Sequence, residues 1–272
     1  MTSLMSNENE EKDAEKVDQA IEMISAGQGP EAHKLLMEVI KNTPEKYDIK
    51  IEKYGNFFIR FWDQAEFVHY VNYDSEEKDE GNIAWIPNTY PRAFYFIGFL
   101  YMQIKDFPRA VAAFEEGQRL DPGHPMFHLE KAQAYYQMGA FDKALSEYEM
   151  VKGVGLRVSE DRYAAALRGR GIVQIETGDL DSAEAVLKES LEYDPGNNIA
   201  LHELGYIDHL RKGRQTGEST MVETGGNPVP VCEKCGKEIV LGTTENEKDG
   251  DGTLCPECKE KAKKRKFLFW KS

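Results

Sequence analysis

Cys232-Glu233-Lys234-Cys235-Gly236 and Cys255-Pro256-Glu257-Cys258 are two C-x2-C pairs separated by nineteen residues, and they hold all four cysteines of the chain. Two residues between cysteines let one tight turn aim both sulfurs at a single ion, and two such pairs make a tetrahedral four-thiolate zinc site. Gly236 relaxes the backbone after the first pair. A module of this size buries little apolar surface. One structural zinc ion on Cys232, Cys235, Cys255 and Cys258 is therefore expected to supply its folding free energy, on the order of 10–16 kcal/mol in small zinc domains. Four thiolates on Zn2+ leave a net negative site, which Lys234, Lys237, Lys259 and Lys261 would offset. A redox C-x-x-C would open a helix in an α/β pattern. A disulfide pair would suit a secreted chain with scattered cysteines.

The residues around the pairs carry two resemblances. Cys-x-x-Cys-Gly and Cys-Pro-x-Cys resemble rubredoxin knuckles, so iron is the alternative metal, although that family has a longer, more aromatic stretch between its pairs. After Cys258, Lys259-Glu260-Lys261-Ala262-Lys263-Lys264-Arg265-Lys266 is strongly helix-forming. A second knuckle at a helix start resembles a treble-clef finger, and 232 to 262 is similar to the finger of the DksA/TraR-type proteins. That resemblance implies no catalytic residue.

Other motifs are weaker. Glu245-Asn246-Glu247-Lys248-Asp249-Gly250 would need Asp first and Glu twelfth to form a calcium loop, and has Glu245 and Pro256 there. Gly169-Arg170-Gly171 is followed by Gln174 where a dinucleotide fingerprint needs its third Gly. His33, His69, His124, His128, His202 and His209 read as surface or groove histidines. With no nucleophile–base pair, phosphate loop or paired acid, no enzyme is expected.

Lys and Arg total 34 against 48 Asp and Glu, a net charge of −14. From Pro228 onward ten basic residues face eight acidic ones, so the first 227 residues carry −16. That disfavours nucleic acid as a partner of the whole protein. The stretch from Lys259 to Lys271, with seven basic residues and one acidic one, is where nucleic acid or an acidic lipid surface could be met. The first residues show neither a basic region nor an apolar stretch, and no run of about 18 apolar residues occurs, so neither leader nor membrane span is expected, and the cytoplasm is the expected location.

The elements that carry these residues follow a period near 34. Phe94, Ile97, Gly98, Tyr101, Ala110, Phe114, Gly117 and Pro122 recur as Ala132, Tyr135, Gly139, Ala144 and Tyr148, and then as Leu167, Gly171, Gly178, Ala183, Leu187, Ser190 and Pro195. Gly98 to Ala132 is 34 residues and Ala132 to Gly171 is 39, the excess falling in the connection of 151 to 161. Two helices cross closely only at small residues, so Gly98 is expected to meet Ala110, Ala132 to meet Ala144 and Gly171 to meet Ala183. Lys105-Asp106, Gly139-Ala140 and Gly178-Asp179 break the hairpins, and Asp121-Pro122 and Asp194-Pro195 end the second helices.

This pattern resembles the tetratricopeptide repeat (TPR) family over about 91 to 197. The resemblance implies an all-α solenoid of helical hairpins whose first helices line a groove for a partner helix or extended peptide. Carried over position by position, the groove is Tyr95, Phe99, Met102, Leu129, Gln133, Tyr136, Arg168, Ile172, His202 and Tyr206, with Arg168 as a charged anchor. Chaperone-binding members grip a C-terminal carboxylate with Lys and Asn. Tyr95 and Phe99 stand at those places here, so no preference for acidic C-terminal peptides is expected. The function implied is a protein–protein interaction adaptor. The alternatives are a regulator of transcription or translation acting through the finger and basic tail, and a regulatory or assembly subunit of an enzyme.

The expected organisation is a disordered acidic stretch 1–12, a degenerate repeat-like hairpin 13–46, an aromatic insert 47–90, repeats with a capping helix 91–213, a linker 214–229, and the finger with its basic helix 230–272. The capping helix over 198–213 is expected to stop at Arg211-Lys212-Gly213-Arg214. In the insert, Phe58, Phe61, Trp62, Ala65, Val68 and Asn72 lie at helical spacing, so a helix is expected there, with a strand over 67–71 as the competitor.

Overall fold

The computed structural model describes residues 8–73 and 81–216. The chain divides into a first unit that runs to Asn197 and a second that begins at Asn198. The cysteines, the linker beyond 216 and the basic stretch lie outside the described residues.

The first unit opens with the hairpin α1 (Glu8–Ser25) and α2 (Gly29–Ile40). Val17, Ala20, Ala32, Leu36 and Val39 pack in one core with Tyr90, Ala93, Ile97 and Leu100 of α4 (Thr89–Gln103). Three hairpins follow: α4 with α5 (Phe107–Leu120), α6 (Pro125–Gln137) with α7 (Phe141–Glu149), and α8 (Glu160–Thr177) with α9 (Leu180–Tyr193). Each turn between first and second helix holds a residue at positive φ: Lys105 at 60°, Gly139 at 72° and Gly178 at 86°. Asp106 and Asp179 then cap the second helices by accepting from the backbone N–H of Arg109 and Ser182.

The close approaches at the helix crossings are filled by large side chains. A Cβ on Gly98 would lie 2.4 Å from the Phe114 ring, and one on Gly171 would lie 2.7 Å from Leu187 Cγ. At these crossings the large residue four positions after Ala110 and Ala183 fills the place of the glycine's missing side chain. A helical side chain leans toward the helix N-terminus, so it covers the turn before its own Cα. Gly169 shows the same device, with Tyr148 filling the place of its side chain at 2.3 Å.

Three further expectations need correction. Residues 8–12 are helical rather than disordered, and Glu10 is buried. The fold is mostly helical rather than all-α, because 47–90 contains a three-stranded sheet: β1 (Lys50–Lys53) antiparallel to β2 (Asn56–Phe61), and β2 parallel to β3 (Asn82–Pro87). The helix expected from Phe58 begins only at α3 (Gln64–Asn72), capped by Asp63, and 67–71 is helix rather than strand. The Phe57-Phe58-Ile59 run has high strand propensity, and Tyr54-Gly55, both at positive φ, makes the two-residue hairpin turn that such a strand pair favours.

The second unit is described through its helix α10 (Asn198–Thr216). That helix runs past Gly213 rather than stopping there, since Arg, Lys and Gln are good helix formers and one Gly costs about 1 kcal/mol.

Candidate functional site

The two faces of β2 do different work: one closes the insert's own core and the other reaches α1. The period-2 alternation sends Ile59 and Phe61 to one side, where they pack with Tyr70. Arg60 goes to the other and forms a fork on Glu10 of α1, with Nη2 3.2 Å from Oε2 and Nη1 on Oε1. Its Nε donates to the Asp48 carbonyl at 3.0 Å, Nη1 to the Pro87 carbonyl at 2.8 Å, and the guanidinium lies 4.1 Å from the Tyr47 ring centroid. Glu10 and Tyr47 are thus held by one buried arginine.

Trp62, two residues after Arg60, reaches the face formed by the first helices of the repeats. Its ring stacks on His124 at 3.7 Å and 8°, and meets Tyr95 edge-on at 4.9 Å and Phe127 at 5.5 Å. One helical turn on, Glu66 accepts from the Trp62 backbone N–H at 2.8 Å and lies 3.5 Å from His124 Nε2. The long connection before α8 supplies the counter-charge. Arg157 donates to both oxygens of Asp121, at 2.7 and 2.9 Å, and to Glu66 at 3.3 Å. Asn88 donates to Asp121 at 2.6 Å. Burial alone would raise the Glu66 carboxyl, but the His124 ring, the Arg157 charge and the Trp62 N–H outweigh it and hold it at about 2. Burial pushes the His124 imidazole below its usual range, against the pull of Glu66.

Asp121 belongs to a closing Asp-Pro, and so does Asp194, which accepts from Arg168 at 3.0 Å and Asn197 at 2.8 Å. Each Asp at a repeat end therefore anchors an arginine. The middle repeat has no such Asp, and its longer connection contributes Arg157 instead.

The structure distributes the expected groove residues unevenly. Tyr95, Phe99, Arg168 and Ile172 are buried, at 9%, 7%, 7% and 8% exposure. Arg168 is thus a structural ion pair with Asp194 rather than an open anchor, and Tyr95 lies under Trp62. Met102, Leu129, Gln133 and Tyr136 are half-buried and share the face of α4 and α6. His202 and Tyr206 lie on α10, in the second unit. Two acidic residues on this face escaped the sequence alignment: Glu130, which accepts from the Tyr95 hydroxyl at 3.0 Å, and Glu176, which accepts from the Tyr136 hydroxyl at 3.4 Å. The offsets of 35 and 40 residues between partners, close to the repeat period, were a usable signal.

A cleft of about 600 Å³ opens between α3 and the start of α8, with Val68, His69, Tyr73, Asp161 and Tyr193 among its walls. His69 Nε2 lies 2.7 Å from the Gly155 carbonyl, and the Tyr73 hydroxyl donates to the Val154 carbonyl at 3.2 Å, so the insert and the long connection close against each other. Among the described residues no group of three or more His, Cys, Asp or Glu is placed to hold a metal, and no helix is long and apolar enough to cross a membrane. The arrangement offers apolar contact and hydrogen-bonding acidic groups on one face, which suits binding.

Two tetratricopeptide repeat family models match the chain, over residues 98–153 and 169–197. Among solved structures, a tetratricopeptide repeat protein from Parabacteroides merdae is 13% identical, with 77% of this chain and 62% of that chain covered and a TM-score of 0.51. MamA from Desulfovibrio magneticus is 17% identical, with 76% and 89% covered and a TM-score of 0.50. The first tetratricopeptide domain of Spaghetti (RPAP3), bound to the HSP90 peptide SRMEEVD, is 24% identical, with 47% and 94% covered and a TM-score of 0.38. The hairpins, their turns and these matches agree that residues 98–153 and 169–197 are tetratricopeptide repeats.

Proposed function

We propose that this chain is a non-catalytic adaptor of the cytoplasm that holds a helix or extended segment of a partner protein on the face of α4, α6 and α8, and that carries one structural zinc ion on Cys232, Cys235, Cys255 and Cys258. The observation that carries the first part is the face itself: Met102, Leu129, Gln133 and Tyr136 remain half-exposed on adjoining first helices of tetratricopeptide repeats. Met and aromatic side chains give adaptable apolar area to such a partner. Support for the zinc is the C-x2-C spacing of the cysteines.

Affinity capture with the full chain in extracts of its own cells tests the adaptor reading. A partner retained by the wild type should be lost with Tyr136→Ala, because aromatic anchors dominate interfaces at about 2 kcal/mol or more, roughly 30-fold in affinity. The same variant should cost under about 1 kcal/mol of stability. A partner retained equally by Tyr136→Ala and Leu129→Ala would overturn the assignment of the face. For the metal, native mass spectrometry of the full chain should show one zinc. Cys255→Ser should release it while far-ultraviolet circular dichroism keeps the helical signal of the repeats. A chain without zinc, or with iron, refutes the metal assignment.

A further inference from the structure

Glu130 is a carboxylate with an incomplete environment. It is partly buried on α6, and the bond it accepts from the Tyr95 hydroxyl of α4, at 3.0 Å, comes from a neutral donor. The groups that face it are Tyr95 and, from α7, the buried Tyr148, whose hydroxyl is raised by burial and by the nearby Glu130 charge. Arg162 of α8 bears electrostatically on the Tyr95 hydroxyl. Burial pushes the Glu130 carboxyl up to about 7, against the Tyr95 hydrogen bond. One repeat on, the exposed Glu176 is likewise met by a tyrosine hydroxyl, that of Tyr136. Of the basic residues on these helices, Arg168 pairs with Asp194 and Lys131 with Glu147. A desolvated carboxylate with only a hydroxyl partner gains most from an incoming cation, since ion pairs strengthen where water is excluded.

We infer that the face of α4, α6 and α8 is built for a partner segment bearing a lysine or arginine, whose cationic head pairs with Glu130 beside Tyr95 and reaches toward Glu176. The occupant is thus a basic, amphipathic protein segment: its apolar side chains lie on Met102, Leu129 and Tyr136 and its charge answers the two carboxylates. The charge of −16 on the first 227 residues favours the same encounter. The inference rests on the adaptor reading above and adds the chemical class of the ligand.

The test uses a phage-displayed library of random 16-residue peptides panned on the immobilised full chain, with the selected peptides resynthesised and titrated. Selected peptides should share a Lys or Arg. Its replacement by norleucine should weaken binding about 10-fold or more on the wild type and not on Glu130→Gln. Binding of the lysine peptide should strengthen from pH 6 to pH 8 as Glu130 ionises, and should lose that pH dependence in Glu130→Gln. Peptides weakened by Tyr136→Ala yet indifferent to Glu130→Gln and Glu176→Gln would leave the adaptor reading standing and overturn this one. Recovery of no peptide sensitive to Tyr136→Ala would overturn both. Glutamine keeps the shape and still accepts from Tyr95. Unfolding is a separate readout. A carboxyl raised in the fold adds stability that is present below its ordinary pKa and lost as pH rises through about 7, so Glu130→Gln should raise the melting temperature more at pH 8 than at pH 5.

Discussion

Arg157→Met is expected to destabilise the repeat unit by about 3–5 kcal/mol at pH 7, because it strands two buried carboxylates that the guanidinium now balances. Asp121 has a side chain with 0% exposure and Glu66 one with 2%, and both point at Arg157. Methionine fills similar space, so the loss would come from the unpaired charge rather than from a cavity. The pH dependence separates those causes. In the wild type, Glu66 is held at about 2, below the ordinary carboxyl value of 4.5, so its stabilisation is present above 4.5 and is lost as pH falls toward 2. His124 is depressed below its ordinary 6.5, so the unfolded chain takes up a proton below that pH which the folded chain refuses. Both effects make the wild type weaken from about pH 6.5 downward. In Arg157→Met the carboxyl of Glu66 loses its cation and rises, so the deficit relative to wild type should shrink between pH 7 and pH 4. Urea melts at the two pH values measure this, and a deficit that is small or independent of pH would mean that Arg157 is a solvated surface group.

Trp62→Ala should cost a similar amount, about 3–5 kcal/mol, by emptying the place of a ring that touches His124, Tyr95 and Phe127 at once. The insert would keep its other attachments, among them Arg60 on Glu10 and His69 on the Gly155 carbonyl. The helices should therefore stay folded while amides of β2 and α3 exchange faster. Removal of the stacked ring also opens His124 to water, so its imidazole should move up toward the ordinary histidine range. Proton NMR of the His124 ring would follow that movement, with Trp62→Phe as the variant that keeps most of the packing. Unchanged exchange in β2 and α3 would show that Trp62 is not what seats the insert.

The helical hairpins were legible in the sequence because their contacts repeat. Gly98, Ala132 and Gly171 mark first helices, Gly139 and Gly178 mark turns, and a period near 34 follows from stacking one hairpin on the next. The ring of Phe114, one turn after Ala110, fills the place of a side chain at Gly98 and fixes the same pairing of helices.

The four-cysteine spacing is likewise a local pattern, and the sequence alone carries it. What only the tertiary structure decided is every contact that crosses between the insert and the array. Glu66 and Arg157 are 91 residues apart, Arg60 and Glu10 50, and none of these pairs repeats along the chain. A charged residue in a polar stretch looks the same whether solvated or buried against a distant partner. Arg168 therefore read as an open anchor until Asp194 was found against it, and Tyr95 as groove surface until Trp62 was found over it. The strand β2 was misread for a related reason. Phe58, Phe61 and Trp62 suit a helical period as well as an alternating one, and the choice fell to partners at β1 and β3, outside any local window.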